Sequence, residues 1–266
     1  MSSDSKVIKR RDVLVALASS GATLAGCAHP ALAKSAPPAP LAKPVANPSS
    51  PQGGSPMPFP PALAGNHAVV PLAFKPAALN GISERMITSH HENNYSGAVK
   101  NLNKVELTLA ETRPDTPPFV VAGLRQSELT FRNSKTLHEA YFGNLGGDGK
   151  RSGAIEKALG EAYGSSGTWE QHFRATGAGL GGGSGWVILG LELDTGTLRT
   201  CWSGNHTQAL ATSVPLLVMD MYEHAYQMDF GAAAAKYIDV FFLNIRWDEV
   251  NRRLERALAA SRALRA

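Results

Sequence analysis

The chain has 266 residues, 18% of them charged, and a formal net charge of +4. This length and charge density suit one or two globular domains with a real core. Roughly half of the positive excess sits in the leader, where Lys6, Lys9, Arg10 and Arg11 face Asp4 and Asp12. The remainder is mildly basic, which gives no argument for nucleic acid and does not oppose a small anionic substrate.

Residues 1–33 read as an export signal. Lys9-Arg10-Arg11-Asp12 precedes the apolar run Val13 to Leu24, which is too short and too rich in alanine and serine for a membrane span. Paired arginines ahead of such a run resemble a twin-arginine signal, a route that exports proteins already folded. Two processing readings stay open. Leu24-Ala25-Gly26-Cys27 resembles a lipoprotein box, with Cys27 as a lipid tether to the membrane, and Ala31-Leu32-Ala33 resembles an ordinary cleavage site. Either way the expected location is exported and periplasmic. The other cysteine, Cys201, reads as a small strand residue, and no disulfide is expected once Cys27 is lost or lipidated. Residues 34–70 are rich in proline, alanine, serine and glycine and read as a disordered linker, with His29 and His67 not expected to be ligands.

The folded part is expected to start at Pro71-Leu72-Ala73-Phe74. Ser83 is a plausible N-cap for one long helix from Glu84 to about Asn103, carrying His90, His91, Asn94, Tyr95 and Ala98. Pro114 to Pro118 breaks the chain, and Val120 to Leu124 reads as a short apolar connection. A second helix is expected from about Glu128 to Phe142, with His138 and Tyr141 on it. Gly143 to Gly153 is a hydrophilic, glycine-rich boundary between a domain at 71–146 and one at 147–266. Its Gly147-Asp148-Gly149-Lys150 lacks the spacing of a phosphate loop. Further helices are expected at Ala154 to Tyr163 and from a Thr168 cap onward, where His172 reads as a packing or surface residue. Strands are expected from Trp186 to Leu193 and from Leu198 to Trp202, with Asp194-Thr195-Gly196 as the turn between them.

Near the C-terminus stands Asp220-Met221-Tyr222-Glu223-His224-Ala225-Tyr226, after the apolar run Val214 to Met219. On a helical turn Asp220 and His224 would share a face and reach one metal ion. A carboxylate set directly after a buried-looking run is costly unless something charged compensates it, and a metal would do so. D-M-Y-E-H-A-Y, followed by Tyr237-Ile238-Asp239 and by Asn244-x-x-Trp247-Asp248-Glu249-Val250, closely resembles the C-terminal signature of the iron/manganese superoxide dismutases, with Tyr222 in place of that motif's tryptophan. The resemblance covers about residues 71–250.

That resemblance implies an α+β fold: an N-terminal antiparallel helical hairpin, then a C-terminal α/β domain with a small three-stranded antiparallel sheet. It implies His90 as a ligand, by its distance from Asn101-Leu102-Asn103, and His138 as a second, in a segment similar to H-x-x-Y-W. With Asp220 and His224 these make three imidazoles and one carboxylate, a set that suits one iron or manganese ion per subunit. Trp186, after Gly183-Ser184-Gly185, is expected in the wall of the active-site cavity, and Tyr141 in its aromatic shell. His206 falls where family members place a group that bonds the metal-bound solvent, and Ser134 stands at the alternative position for that group. Glu223 and Tyr226 are implied at a homodimer boundary. Two positions depart from the family: Asn94 replaces a histidine and Ala98 replaces the active-site tyrosine.

The implied activity is dismutation of superoxide to dioxygen and hydrogen peroxide. Against it stand two other expectations, a metal-binding or structural lipoprotein that keeps the fold with weak or no turnover, and a metal-dependent enzyme acting on peroxide.

Overall fold

The structure, a computed structural model, describes residues 59–266, so the export signal, Cys27 and most of the proposed linker lie outside the described residues. Among the described residues no helix is long and apolar enough to cross a membrane.

The first half is a helical hairpin. Helix α1 (Glu84–Ser89) starts at Ser83, whose hydroxyl accepts the Met86 N–H as the N-cap pattern predicts. The single long helix expected here is interrupted. His90–Tyr95 form a π-helical turn, and α2 (Ser96–Ala110) then resumes regular geometry and runs past Asn103. Such turns concentrate at functional sites. Helix α3 (Pro118–Gly143) starts ten residues before the position expected, because Pro118 occupies its first turn, where a missing N–H costs nothing. Val120 to Leu124 is therefore helix and not a connection.

The sequence reading of residues 61–70 also needs correction. Pro61–Leu63 make a 3-10 turn, and the chain then lies along α2. The Gly65 N–H donates to Glu106 at 3.0 Å, and the Asn103 side-chain amide accepts the His67 N–H and donates to the His67 carbonyl, both at 2.9 Å. His67 Nε2–H also donates to Glu106 at 2.8 Å. Proline content had suggested a chain with too little apolar surface to order itself, but polar anchors on α2 order it.

In the second half α4 (Ala154–Tyr163) and α5 (Ser166–Ala178) precede the sheet. Ser165, not Thr168, caps α5; Thr168 supplies the N–H that Ser165 accepts. Strands β1 (Trp186–Glu192), β2 (Leu198–Ser203) and β3 (Ser213–Asp220) pair antiparallel in the order β2-β1-β3. β1 is central and buried on both faces, which explains its unbroken apolar run. The β1–β3 register slips between Leu189 and Gly190, opposite Pro215, where a strand can tolerate a residue without an N–H. Short α6 (Gln227–Phe230), α7 (Ala234–Leu243) and α8 (Trp247–Arg265) complete the chain.

The glycine-rich break is a contact, not a spacer. Gly147 and Gly149 donate to Asn244 and Ile245, and a Cβ on Gly147 would come within 2.3 Å of the Ile245 carbonyl. Two polar side chains, buried Asn144 and half-buried Arg253, then tie the end of α3 to the strand beside it. Asn144 accepts the Val218 N–H at 2.9 Å. Arg253 on α8 donates to the Ala140 carbonyl at 3.1 Å and the Leu216 carbonyl at 3.0 Å. Its Nε pairs with Glu249 at 2.8 Å. α3 and β3 are thus fixed to each other just below the site.

Candidate metal centre

Four elements meet at one point. His90 opens the π turn, His138 lies on α3, Asp220 ends β3, and His224 sits in a 3-10 turn at Glu223–Ala225. Asp220 and His224 therefore do not share a helix. Their juxtaposition comes from a strand that stops and a turn that folds back.

Strand pairing positions Asp220. Trp186 at the start of β1 lies opposite Asp220 on one side and Ser203 on the other. Gly185, at φ 140°, makes the entry: a Cβ there would come within 2.2 Å of the Ser203 carbonyl, and its own carbonyl accepts the Met221 N–H at 2.9 Å.

The donor atoms converge on one oxygen. The Nε2 atoms of His90, His224 and His138 stand 3.1, 3.3 and 3.6 Å from Asp220 Oδ2. The other oxygen, Oδ1, accepts the Tyr222 N–H at 2.8 Å, so Oδ2 is the one turned inward. All four ligand atoms lie within 4.8 Å of one another.

Burial and hydrogen bonding fit this cluster to a cation. His90 and His138 are about 1% exposed, and neither Nε2 has a hydrogen-bond partner; the 3.1 Å approach of His90 to Asp220 lacks hydrogen-bond geometry. Orphaned buried nitrogens of this kind call for an explanation, and a bound ion is one. His138 Nδ1–H donates to the Ser134 carbonyl at 2.7 Å, which leaves its Nε2 lone pair facing Asp220. Burial lowers both imidazoles, His138 to about 3, so both are neutral at ordinary pH. Burial alone would raise the Asp220 carboxyl; the neighbouring His224 and His90 outweigh it and hold the group well below the usual carboxylate range. Two neutral buried imidazoles and an ionised buried carboxylate form a site that a divalent or trivalent ion would complete.

His206 stands apart from the four. The Trp186 indole, a donor only, gives its proton to His206 Nδ1 at 3.0 Å. In its neutral form, which burial favours, His206 carries its proton on Nε2 and is a hydrogen-bond donor, not a lone-pair ligand. Its ring stacks on Tyr222, centroid to centroid 4.8 Å, and Tyr222 stacks in turn on His224 at 5.4 Å. A cavity of about 250 Å³ opens over the site, lined by His138, His206 and His224 together with Asn94, Ala98 and Ser134.

Three expectations shift. Trp186 does not line this cavity; it is fully buried, its ring 5.0 Å from His138, and reaches the cavity through His206. Tyr141 is likewise buried behind His90, its hydroxyl accepting from Tyr237 at 3.2 Å. Tyr226 lies inside the subunit, where its hydroxyl accepts the Gly182 N–H at 3.0 Å and its ring stacks on Tyr237. Glu223 is exposed. The sequence reading missed the Ser134 carbonyl, Asn144 and Arg253, for which no local pattern gives a signal.

Residues 151–253 match the family model described as iron/manganese superoxide dismutases, C-terminal domain. The chain is 47% identical over 189 residues to the iron superoxide dismutase of Cupriavidus metallidurans, an overlap covering 71% of this chain and 96% of that protein. It is 35% identical to the iron superoxide dismutase of Aquifex aeolicus, covering 76% of this chain and 98% of the relative. It is 33% identical to manganese superoxide dismutase 1 of Halobacterium salinarum, covering 66% and 88%. The donor set and the length of these overlaps lead to one assignment: the chain belongs to the iron/manganese superoxide dismutase family, an oxidoreductase family whose cofactor is iron or manganese.

Proposed function

We propose that the protein dismutates superoxide to dioxygen and hydrogen peroxide, with one iron or manganese ion held by His90, His138, Asp220 and His224. One observation carries this reading: three imidazole nitrogens converge on Asp220 Oδ2, and two of them are buried without a hydrogen-bond partner. Such an ion supplies a one-electron couple that zinc lacks.

The chain's own residues supply the rest. Asp220, ionised and buried, offsets the charge that a cation brings into the core. The Ser134 carbonyl fixes the His138 ring, and the Tyr222 N–H fixes the carboxylate. Trp186 holds His206 with its Nε2–H free to donate to a small oxygen species in the cavity. Asn94 and Ala98, both following His90, bring neither a further imidazole nor a tyrosine hydroxyl to that cavity, so His206 is the proton-bearing side chain best placed over the site. The exposed Glu223 supports a homodimer through this edge. The paired arginines and the segment around Cys27 support export to the periplasm, with or without a lipid tether.

The test uses the full chain loaded separately with iron and with manganese, assayed per bound metal beside His138→Ala. Fast turnover with one metal, lost in the variant, supports the reading. Stoichiometric metal without turnover overturns it in favour of a metal-holding protein.

A further inference from the structure

The chain upstream of α1 grips the π turn. The Val70 N–H donates to the Tyr95 hydroxyl at 2.8 Å, and the Val70 carbonyl accepts from His91 Nε2–H at 2.9 Å. One peptide segment is thus held by side chains near both ends of the turn that begins at His90. The Tyr95 hydroxyl passes on to Glu139 at 2.7 Å, next in sequence to His138, and Lys135 holds the other Glu139 oxygen at 3.0 Å. Tyr95 is about 1% exposed, and its ring lies 6.2 Å from that of His138. A pocket of about 80 Å³ beside it is lined by Val70, Tyr95, Glu139 and Phe142, so the contact leaves little free space. Upstream, Gly65 and His67 on Glu106 hold the same strap to α2.

We infer that the Val70–Tyr95–Glu139 chain is a positioning device for the metal centre: it locks the π turn carrying His90 to the helix carrying His138, and the strap at residues 61–70 is part of it. A π turn departs from the regular spacing of the α-helix on either side of it. Its backbone does not by itself fix where His90 points, whereas a hydroxyl shared between Val70 and Glu139 sets both ligand helices at one separation. No group in this chain touches the ion or substrate, so Tyr95 acts through the histidines. The inference rests on the metal-binding reading of the site and is independent of turnover.

The experiment compares full-length wild type with Tyr95→Phe, Glu139→Gln and Ser165→Ala. Phenylalanine keeps the ring and removes the hydroxyl. Glutamine keeps an oxygen for Tyr95. Ser165→Ala removes a helix cap far from the site and controls for lost stability. The readouts are iron release to a chelator, the visible absorption of the ferric protein, and amide exchange at residues 90–95 in the metal-free protein. Tyr95→Phe is expected to release iron about 10-fold faster, to shift the absorption band, and to exchange those amides about 5-fold faster. Glu139→Gln restores wild-type behaviour on all three. The inference is overturned if Tyr95→Phe leaves release, spectrum and exchange unchanged, or if Ser165→Ala moves them as far. Wild type that retains no iron would sink the metal reading, and exchange in the metal-free protein would still decide the clamp.

Discussion

Two clusters of ionisable side chains sit in the same fold and are built on opposite principles. In the metal centre, a buried carboxylate faces three imidazoles, and the Nε2 atoms of two of them, with the Nδ1 of His90, have no hydrogen-bond partner. Between α4, α5 and α8, Arg151 and Arg174 share Glu170 at 2.9 and 2.8 Å, Arg174 reaches Asp239 at 2.9 Å, and Arg151 also pairs with Glu156. The Arg151 guanidinium lies 5.6 and 5.5 Å from the ring centres of Trp169 and Trp247. Here each cation has its anion and its aromatic face, and the buried atom left over, the Trp169 indole N–H, is a donor that could not hold a metal. Density of charge does not separate a site from a structural network. Buried donor atoms left unpaired, aimed at one point, do.

Breaking the first cluster gives the largest effect. Asp220→Asn keeps an oxygen for the Tyr222 N–H but removes the charge that offsets the ion. Metal analysis after purification should find the variant empty, while the melting temperature of the metal-free protein does not fall. A large drop in that melting temperature would mean that the carboxylate is there for stability.

Next comes the guanidinium that joins α3 to β3. Arg253→Met takes one guanidinium from Glu249, which keeps Arg252 and Arg246, and removes the donors that reach the Ala140 and Leu216 carbonyls, so denaturant unfolding should show a loss of about 1.5–3 kcal/mol. A loss below about 1 kcal/mol would show that Asn144 alone holds these elements together.

Acidification probes the same contrast more gently. The folded-state values of His90 and His138 lie below the ordinary imidazole value, so the unfolded chain takes up more protons as pH falls below about 6.5. Stability of the metal-free protein is then full above that pH and declines beneath it, by roughly 1–3 kcal/mol between pH 7 and 5.5. Flat thermal unfolding across this window would show that these imidazoles are not buried neutral.

The smallest effect is expected at Arg151→Lys. An ammonium cannot serve Glu156, Glu170 and two indoles at once, so a loss of about 1 kcal/mol is expected, with metal content unchanged. Altered metal content would mean that the two clusters are coupled.

The ligands were legible because the chemistry required fixed residue types, and the resemblance tied each to a short neighbouring motif. Asn101-Leu102-Asn103 located His90, and D-M-Y-E-H-A-Y located Asp220 and His224. The sheet was legible from Trp186 to Glu192 because a strand covered on both faces must be apolar throughout. What escaped was held by distant partners. Residues 61–70 read as linker from their composition; the group that fixes His67 there, Glu106, lies 39 residues away. The i, i+4 spacing of Asp220 and His224 suggests a helical turn, yet pairing with β1 makes Asp220 the last residue of a strand. The early start of α3 was hidden by prolines that break a helix interior but open a first turn. Arg253 gave no local sign, since its carbonyl partners at Ala140 and Leu216 carry no side-chain code.

The spread of the donors along the chain has a consequence for assembly. His90 and His138 belong to adjacent helices, whose loop closes cheaply and early, whereas Asp220 and His224 come from the last strand and the turn after it. A nascent chain that has emerged only as far as the hairpin offers two imidazoles and no carboxylate. Ion capture thus waits on the end of synthesis and on the docking of β3, which makes metal content a readout of completed folding. Protein halted or misassembled before that step would be recovered metal-free, however much iron or manganese surrounds it.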